Sequence, residues 1–448
     1  MSLVLRVLYR GYRFISWLTY WTRRRFTVAG QAMLGGLMVA MFSGLDVENA
    51  VGYQAFTLLL ALLFLAVVFS LRFRVALTME RLLPRVASVG QPFTYRIAIR
   101  NLTGKSQSGI TLLEDLADPR PAFKEWRDYK LDENRHSRPF RLNRGRLRNP
   151  FRQATVNEVQ LPALPPQQQN EVAVEMTAWR RGLVRFEGVT LARPDPFGLY
   201  RALRKSPLPQ TLLVLPRRYR LPPLALPGAL KYQQGGVAMA SNIGQSDEFV
   251  SLRDYRRGDP PRHIHWRSWA KAGKPIVKEF EDEFFVRHAL VLDTFTTRPQ
   301  SELFEEAVSV APSFACTVLT QESLLDLLFV GAEAYCFTAG RGLAHADQMV
   351  EILASVQPGY QQPFATLERA VLEHANVVSG CICVLLEWDE LRQRFVEKLK
   401  ILGLPVLVFV LRPAGETRPL EPGPLADAPA SLHSLEVGRI EEQLAKLT

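Results

Sequence analysis

The chain has 448 residues, enough for two or three domains, and its 47% hydrophobic and 22% charged content excludes a chain too polar to bury a core. The net charge of +11 is unevenly divided: residues 1–75 hold 8 Lys and Arg against 2 Asp and Glu, whereas residues 246–448 hold 20 against 29. The basic first half indicates contact with something anionic.

Two uncharged runs predict a membrane anchor with two transmembrane helices over residues 1–75. Residues 26–45 and 49–71 contain no Asp, Glu, Lys or Arg, and each is about the ~20 residues that a spanning helix needs. Arginines flank the outer ends of both runs: Arg23, Arg24, Arg25, Arg72 and Arg74. The positive-inside rule therefore predicts a two-pass protein with its bulk in the cytoplasm. A signal peptide is disfavoured because a second run follows at once, and a pair of buried core helices is the alternative.

Two basic segments are candidates for contact with membrane lipids. The first 25 residues mix Arg6, Arg10 and Arg13 with aliphatic and aromatic side chains, which is typical of a segment on the membrane surface. Seven Arg recur between Arg135 and Arg152 without apolar periodicity, which predicts a loop or hairpin. A charged loop of this kind is most often solvated, and contact with anionic lipid headgroups is the second interpretation. Nucleic acid is not expected, because nothing here marks a nucleic-acid-binding module.

Residues 76–215 predict an antiparallel β-sandwich. PFTYRIAIRN and NEVAVEMTAWRRG alternate apolar and polar residues, and Gly, Pro and Asn interrupt the short runs. The segment DPFGL, residues 195–199, is interpreted as turn chemistry alone, with Pro fixing φ and Gly198 taking a positive φ. Residues 216–245, which are rich in Pro and Gly, predict a linker into the last domain.

Residues 246–448 predict a doubly wound α/β domain after an initial charged segment. From His288 onward, apolar strands without alternation are separated by helical stretches, which favours a mostly parallel sheet covered on both faces. In such folds ligands meet the carboxyl ends of the strands, which directs attention to Asp293, Thr366, Glu387 and Asp389.

The four cysteines favour a reducing compartment. All of them (Cys316, Cys336, Cys381 and Cys383) lie in apolar surroundings, and none has the CxxC spacing of a zinc site. Cys381 and Cys383 would point to the same face of a strand, which suits buried thiols better than disulfides.

The segment LRDYRRGDPPRHIHWRSWAK, residues 252–271, raises several alternatives. His263 and His265 with Asp259 could hold a metal if they lay on a strand, but no further ligand follows at useful spacing. Ser251 and Ser268 flank the histidines without a nucleophile elbow, so catalysis is disfavoured. Stacking of nucleic acid on Arg and Trp is disfavoured because the segment opens the acidic half of the chain.

A structural role for the same segment explains more of its residue types. An Arg fork binds a carboxylate with two hydrogen bonds, so Arg253, Arg256 or Arg262 could lock onto Asp254 or Asp259. Gly258 and the prolines suit a turn. Because Trp266 and Trp269 are three residues apart, they would share a helical face and pack against the sheet. Exposed Arg and Trp also favour a partner-docking surface.

Longer runs carry a resemblance to a known family. EFVSLRDYRRGDPPRHIHWRSWAKAGKPIVKEFEDE, followed by an apolar strand that ends in Asp293, resembles the signature of the bacterial domain-of-unknown-function family 58. RRGLVRFEGVTLARPDPFGLYR and the two-helix start are also similar to that family, so the resemblance covers nearly the whole chain. The signature positions with a structural or docking role are Arg253, Tyr255, Gly258, Asp259, Arg262 and Trp266.

The resemblance implies a bacterial inner-membrane protein whose last domain is similar to a von Willebrand factor A domain. Such domains can hold Mg²⁺ through D-x-S-x-S, a Thr and a further acid, all of which offer hard oxygen ligands. Here the motif is DTFTT, residues 293–297, so Phe295 replaces the first hydroxyl. The resemblance thus implies a degenerate metal site, and its residues would be Asp293, Thr297, Thr366 and Asp389, with Glu387 as the alternative acid.

The resemblance also implies a partner, because such proteins are commonly encoded beside MoxR-type AAA+ ATPases. The function expected is therefore a membrane-anchored, non-enzymatic adaptor that works with such an ATPase in assembling or activating a protein complex. Two alternatives stay open. One is a Mg²⁺-dependent adhesion module that binds a partner carboxylate, and the other is a hydrolase that depends on Asp259 or His265.

Overall fold

The computed structural model describes residues 2–43, 50–136, 151–222, 249–257, 259, 261–280, 287–296, 301–320, 324–331, 333–339, 343–359, 362–416 and 419–447. Its contacts separate two units, one over residues 1–217 and one over the described residues from 218 onward. Both units mix helices with sheets, so the chain has the multi-domain organisation expected from its sequence.

The first unit begins with the helices α1 (Ser2–Arg25), α2 (Val28–Ser43) and α3 (Ala50–Ser70). Among the described residues, α3 is the one helix long and apolar enough to cross a membrane. Helix α2 has 16 residues, which span about 24 Å and fall short of the ~30 Å hydrocarbon core. The prediction of two spanning helices is therefore supported for one of them, and its connecting residues 44–49 lie outside the described residues.

The rest of the first unit is rich in strands. Its elements are β1 (Leu77–Leu82), β2 (Val86–Ser88), β3 (Pro92–Asn101), β4 (Thr111–Leu116), α4 (Phe123–His136), β5 (Ala154–Val156), β6 (Val159–Gln160), β7 (Gln169–Ala178), β8 (Gly182–Pro194) and β9 (Arg201–Leu215). One sheet has the order β1-β3-β7-β5 and the other β2-β9-β8-β4-β6. Alternate residues of both sheets, such as Ile97, Val174, Leu112 and Val189, share one buried core, because a strand turns every second side chain to the same face.

A buried ion pair connects the two sheets inside this core. Arg81 of β1 forms two hydrogen bonds with Glu114 of β4, from Nε to Oε1 at 3.0 Å and from Nη2 to Oε2 at 2.6 Å. The hydroxyl of Tyr95 donates to Oε1 of the same carboxylate at 2.8 Å, and the Arg81 guanidinium lies over the Phe186 ring. This bidentate geometry satisfies both charges where water is excluded.

Helix α1 packs one side against α4 and exposes an apolar stripe on another. The rings of Tyr9 and Tyr12 lie 5.5 and 6.0 Å from Trp126 of α4. The large apolar side chains exposed on α1 include Leu8, Phe14, Ile15 and Leu18, which are 40–65% exposed. Most of the second basic segment (135–152) lies outside the described residues, namely residues 137–150.

The turn 195–200, with sequence DPFGLY, is closed by a single carboxylate. Oδ1 of Asp195 accepts the backbone N–H groups of Leu199 at 2.7 Å and Tyr200 at 2.9 Å, and Oδ2 accepts that of Phe197 at 3.2 Å. Gly198 has a φ of +68°, in the left-handed region that favours glycine. The turn chemistry expected from the sequence is present.

The turn 195–200 also contacts the ends of both apolar helices. Just before α2, Thr27 donates its N–H to the carbonyl of Leu199 at 3.2 Å and its hydroxyl to the carbonyl of Gly198 at 2.5 Å. The ring of Phe197 lies 6.0 Å from that of Phe69 near the end of α3. The interpretation of this segment as turn chemistry alone was therefore incomplete, because the turn joins the sandwich to α2 and α3.

The second unit contains a short hairpin and a six-stranded sheet. Its elements are β10 (Phe249–Asp254), α5 (Trp266–Ala272), β11 (Ile276–Phe280), β12 (Arg287–Leu292), α6 (Glu302–Thr320), β13 (Leu324–Val330), β14 (Ala334–Ala339), α7 (Leu343–Ser355), α8 (Ala365–His374), β15 (Gly380–Leu385), α9 (Glu390–Ile401), β16 (Val406–Arg412), β17 (Leu432–Glu436) and α10 (Ile440–Leu444). The strand order is β14-β13-β12-β15-β16-β17, parallel except for β14.

Helices cover both faces of this sheet. Leu290 and Leu292 of β12 belong to a core shared with α6, α7 and α10, whereas Ala289 and Val291 belong to a core shared with α8 and α9. Both faces are thus buried, which explains why the strands read as continuous apolar runs. Cys381 and Cys383 are buried in the second of these cores.

The predicted linker begins as packed structure. In residues 218–222, the N–H of Tyr219 donates to Oγ of Ser313 on α6 at 2.8 Å, and its hydroxyl donates to Glu306. Tyr219 is buried and belongs to the core beneath α6. Residues 223–245, the remainder of the predicted linker, lie outside the described residues, as do residues 246–248.

Candidate functional site

The carboxyl ends of β12 and β15 form a topological switch point in the second unit. The chain leaves β12 toward β13 on one side, while β15 lies on the other side of β12. In open α/β sheets this divergence leaves a crevice in which ligands bind. Asp293 directly follows β12, and Glu387 and Asp389 follow β15, so the structure brings the predicted acids to this point.

Asp293 is fully buried, and three donors satisfy its carboxylate. Oδ1 accepts the N–H of Phe295 at 2.9 Å. Oδ2 accepts the N–H of Leu386 at 3.0 Å and Nε of Arg392 at 2.6 Å. The adjacent hydroxyl of Thr294 is directed to the carbonyl of Val330.

Arg392, which sequence reasoning did not single out, is the cation of this site. It lies in the first turn of α9, is 4% exposed, and its Nη1 lies 3.0 Å from Oδ2 of Asp389 and 3.7 Å from Oε2 of Glu387. Burial opposes the charge of Arg392, but the carboxylate of Asp293 outweighs burial and raises the pKa of the guanidinium. Its Cζ atom lies 5.2 Å from the ring centroid of Phe364, so the charge is enclosed by carboxylates and an aromatic face.

The residues at this point do not fit a Mg²⁺ site. Asp293 and Asp389 both direct oxygens to the guanidinium of Arg392, which supplies the positive charge that a metal would supply. The Phe295 ring, where the resemblance implies a hydroxyl, packs on Phe364 at 5.6 Å. Among the described residues no cluster of three His, Cys, Asp or Glu is arranged to hold a metal.

Of the two other members of the expected metal set, only Thr366 lies among the described residues. Thr366 is half-buried at the start of α8, where its N–H donates to the carbonyl of Pro363 at 2.9 Å. Thr297 lies outside the described residues.

The signature hairpin, residues 249–280, is braced by one Arg–carboxylate pair. Nη1 and Nη2 of Arg253 lie 2.7 and 2.8 Å from the two oxygens of Asp259, which also accepts the N–H of Arg256 at 2.7 Å. The hydrogen bonds from Arg253 and Arg256 lower the pKa of Asp259 to about 2. Asp259 is thereby committed to Arg253. Gly258 lies outside the described residues, as does the Arg262 side chain.

The two histidines of the hairpin do not form a metal pair. His263 ends a short 3₁₀ turn, whereas His265 precedes α5 and places Nδ1 2.6 Å from Oγ of Ser268. The two residues therefore do not share one face of a strand. The Ser268–His265 contact lies within a single turn, and no described carboxylate orients Nε2 of His265, so the usual third member of a catalytic triad is not in place.

The hairpin exposes aromatic and cationic side chains. Trp266 is 64% exposed and stacks on Trp269, with ring centroids 5.2 Å apart. The expectation that Trp266 packs against the sheet was wrong. The two indole rings stack on each other within α5, and Trp266 stays largely exposed to solvent. Tyr255 is 38% exposed, and further exposed residues of the hairpin are Leu252, Arg256, Arg257, Arg267, Lys271 and Lys274. An open aromatic surface with excess positive charge is suited to binding.

Comparisons with known proteins find a relative, solved structures of low similarity and a family model. The uncharacterized protein YeaD of Bacillus subtilis is 28% identical over 208 residues, which cover 46% of this chain and half the length of that relative. The CARDB domain of PF1109 from Pyrococcus furiosus, solved with di-metal ions, is 13% identical with a TM-score of 0.17 and covers 32% of this chain and 96% of that domain.

A native alpha-2-macroglobulin fragment from Escherichia coli is 11% identical with a TM-score of 0.20 and covers 67% of this chain and 42% of that one. Such low scores carry no argument about fold or function. Residues 251–420, which begin in the signature hairpin and include most of the six-stranded sheet, match the model of the family described as "Protein of unknown function DUF58".

Proposed function

We propose that this protein is a membrane-anchored, non-enzymatic adaptor that docks a MoxR-type AAA+ ATPase through its signature hairpin and helps to assemble or activate a protein complex. The proposal rests on one observation above others, the exposed Trp266 stacked on Trp269. Trp, Tyr and Arg are the residues on which binding energy concentrates, and they are effective when already held in place. Here the Arg253–Asp259 pair holds the loop that carries Tyr255.

We also propose that the anchor is a two-helix hairpin in a bacterial inner membrane, with the bulk of the chain in the cytoplasm and in contact with membrane lipids. The start of α2 and the end of α3 both contact the turn 195–200, so these two ends lie on the same side. Arg23, Arg24 and Arg25 precede α2 and Arg72 and Arg74 follow α3, which is the arrangement favoured on the cytoplasmic side.

The second unit is proposed to be a von Willebrand factor A-like domain. The strand order β14-β13-β12-β15-β16-β17, with one antiparallel strand at the edge, supports this assignment. The adhesion and hydrolase alternatives gain no support from the site. Arg392 takes up the carboxylates that would hold Mg²⁺, and Arg253 takes up Asp259.

The test is affinity purification of the full chain from detergent after crosslinking, with and without EDTA. We expect an AAA+ ATPase to be recovered by the wild type and by Ile401→Ala, whose side chain is 79% exposed on α9. Recovery should be lost in Trp266→Ala and should not change with EDTA.

Two results would contradict the adaptor proposal. One is that no ATPase is recovered under crosslinking. The other is that recovery needs Mg²⁺ and disappears in Asp293→Ala while Trp266→Ala behaves as wild type, which would favour the adhesion module instead.

A further inference from the structure

A cavity of about 300 Å³ in the first unit lies where the candidate spanning helix ends. Its walls come from the last residues of α3 and those after it, from residues 193–196 at the end of β8, and from β9. With α3 spanning the bilayer as proposed, its end at Ser70 places the cavity where hydrocarbon gives way to headgroups. This is the depth at which phospholipid phosphates lie.

Arg193, in the wall of this cavity, is a half-buried cation. Its guanidinium lies 5.0 Å from the ring centroid of Phe73, and Nη2 donates to Oε1 of Gln107 at 2.7 Å. Nε is buried without a hydrogen-bond partner, and no described Asp or Glu lies within ion-pair distance of Arg193. Burial lowers the pKa of Arg193, which shows that its surroundings disfavour the unpaired charge. An anion in the cavity would relieve that cost.

The other charged groups of the wall favour the same kind of ligand. Arg72 is exposed at the rim, with its guanidinium over the Phe69 ring at 5.8 Å. The acid of the wall, Asp195, directs its carboxylate to three backbone N–H groups of the turn 195–200. The wall therefore carries two cations against one carboxylate that is already hydrogen-bonded. The aromatic rings of Phe69 and Phe73 add an apolar surface beside the charges.

We propose that this cavity binds the phosphate of an anionic phospholipid headgroup, with Arg193 donating from the buried end and Arg72 from the rim. Inorganic phosphate presents the same oxygens, but the apolar rings and the position at the end of α3 favour a phosphate attached to acyl chains in the bilayer. The site does not depend on docking at the signature hairpin, but it rests on the proposed membrane anchor.

The test is native mass spectrometry of the full chain in detergent, titrated with dioctanoyl phosphatidylglycerol. Arg193→Gln and Arg72→Gln should each weaken binding by about tenfold, since a charge-assisted hydrogen bond contributes roughly that factor. Arg100→Gln, which removes an exposed charge from β3 of the same unit, should leave binding unchanged. Arg72 is exposed, so its substitution keeps the fold even if that of Arg193 does not.

Parallel titrations distinguish the source of the phosphate. Inorganic phosphate should compete weakly, and dioctanoyl phosphatidylcholine should bind less tightly than the anionic lipid. If the wild type, Arg72→Gln and a folded Arg193→Gln all bind phosphatidylglycerol equally well, the proposed site is wrong. Inorganic phosphate or phosphatidylcholine binding as tightly as phosphatidylglycerol would overturn the anionic-lipid assignment.

Discussion

Removal of the Arg392 guanidinium should strongly destabilise the second unit. Arg392→Met keeps an unbranched stem against Phe364 but leaves the carboxylate of Asp293, which is 0% exposed, with two backbone donors and no cation. Breaking a buried pair by removing one partner costs about 3–5 kcal/mol, because the remaining charge stays out of water. We expect a loss of free energy of unfolding in that range.

A matched control lies on the same helix. Arg394 is 64% exposed and pairs with Glu390 in the surface layer, so Arg394→Met should cost less than about 1 kcal/mol. The double variant Asp293→Asn with Arg392→Met removes both charges, and it should be more stable than Arg392→Met alone.

The assay is denaturant unfolding of the full chain in detergent, together with hydrogen exchange of peptides from β12 and β15. Protection should fall in both strands of Arg392→Met and in neither strand of Arg394→Met. Millimolar Mg²⁺ or EDTA should leave the wild-type unfolding midpoint unchanged, because only a ligand bound to the folded state shifts it. A cost for Arg392→Met no larger than that for Arg394→Met, or a wild type destabilised by EDTA, would refute the reasoning.

Two further predictions concern the contact of α2 with the turn 195–200 and a buried histidine. A Cβ on Gly30 would lie 2.0 Å from the carbonyl oxygen of Leu199, so Gly30→Ala should lower the melting temperature in detergent, by the equivalent of about 1–3 kcal/mol, while Gly35→Ala, with open space around it, should not. Burial lowers the pKa of His288 from 6.5 to about 4. The free energy of unfolding should therefore fall by about 3 kcal/mol as the pH drops from 6.5 to 4, because the buried imidazole must then take up a proton. In His288→Leu the free energy of unfolding should change less over that pH range.

The sheets of both units were predictable because burial leaves a periodic mark on each strand. The alternation in β3 and β7 follows from one buried face, and the continuous apolar run of β12 follows from two. The helix α7 and the strand β17 were not predicted. In α7 the buried residues Ala346, Met349, Val350, Leu353 and Ala354 recur at helical spacing, so its signal is present in the sequence. Strand β17 is an edge strand of five residues, which is too short for a strong periodic signal.

The candidate site was half predictable. Asp293 was found because an acid at the end of a buried strand is a recognisable position, whereas its partner is 99 residues away and no local pattern joins the two. One signal was available: Arg392 falls on the apolar stripe of α9 with Phe395, Val396 and Leu399, all of them buried. An Arg within such a stripe indicates a buried carboxylate elsewhere in the fold, since a buried guanidinium needs a partner.

The same chemistry recurs in the two places where the sequence suggested reactive acids. Asp293 is neutralised by Arg392, and Asp259 is neutralised by Arg253, each with short N···O distances. A general base or a metal ligand needs an oxygen free to accept a proton or a cation, and an internal guanidinium occupies that oxygen. The hairpin around Asp259 leaves mainly cationic and aromatic groups open to solvent, above all Trp266, whereas the Asp293 site leaves Glu387 and Asp389 partly exposed. At the hairpin the acid fixes a loop and the exposed groups are suited to contact, which is the reason for proposing that this surface docks a partner.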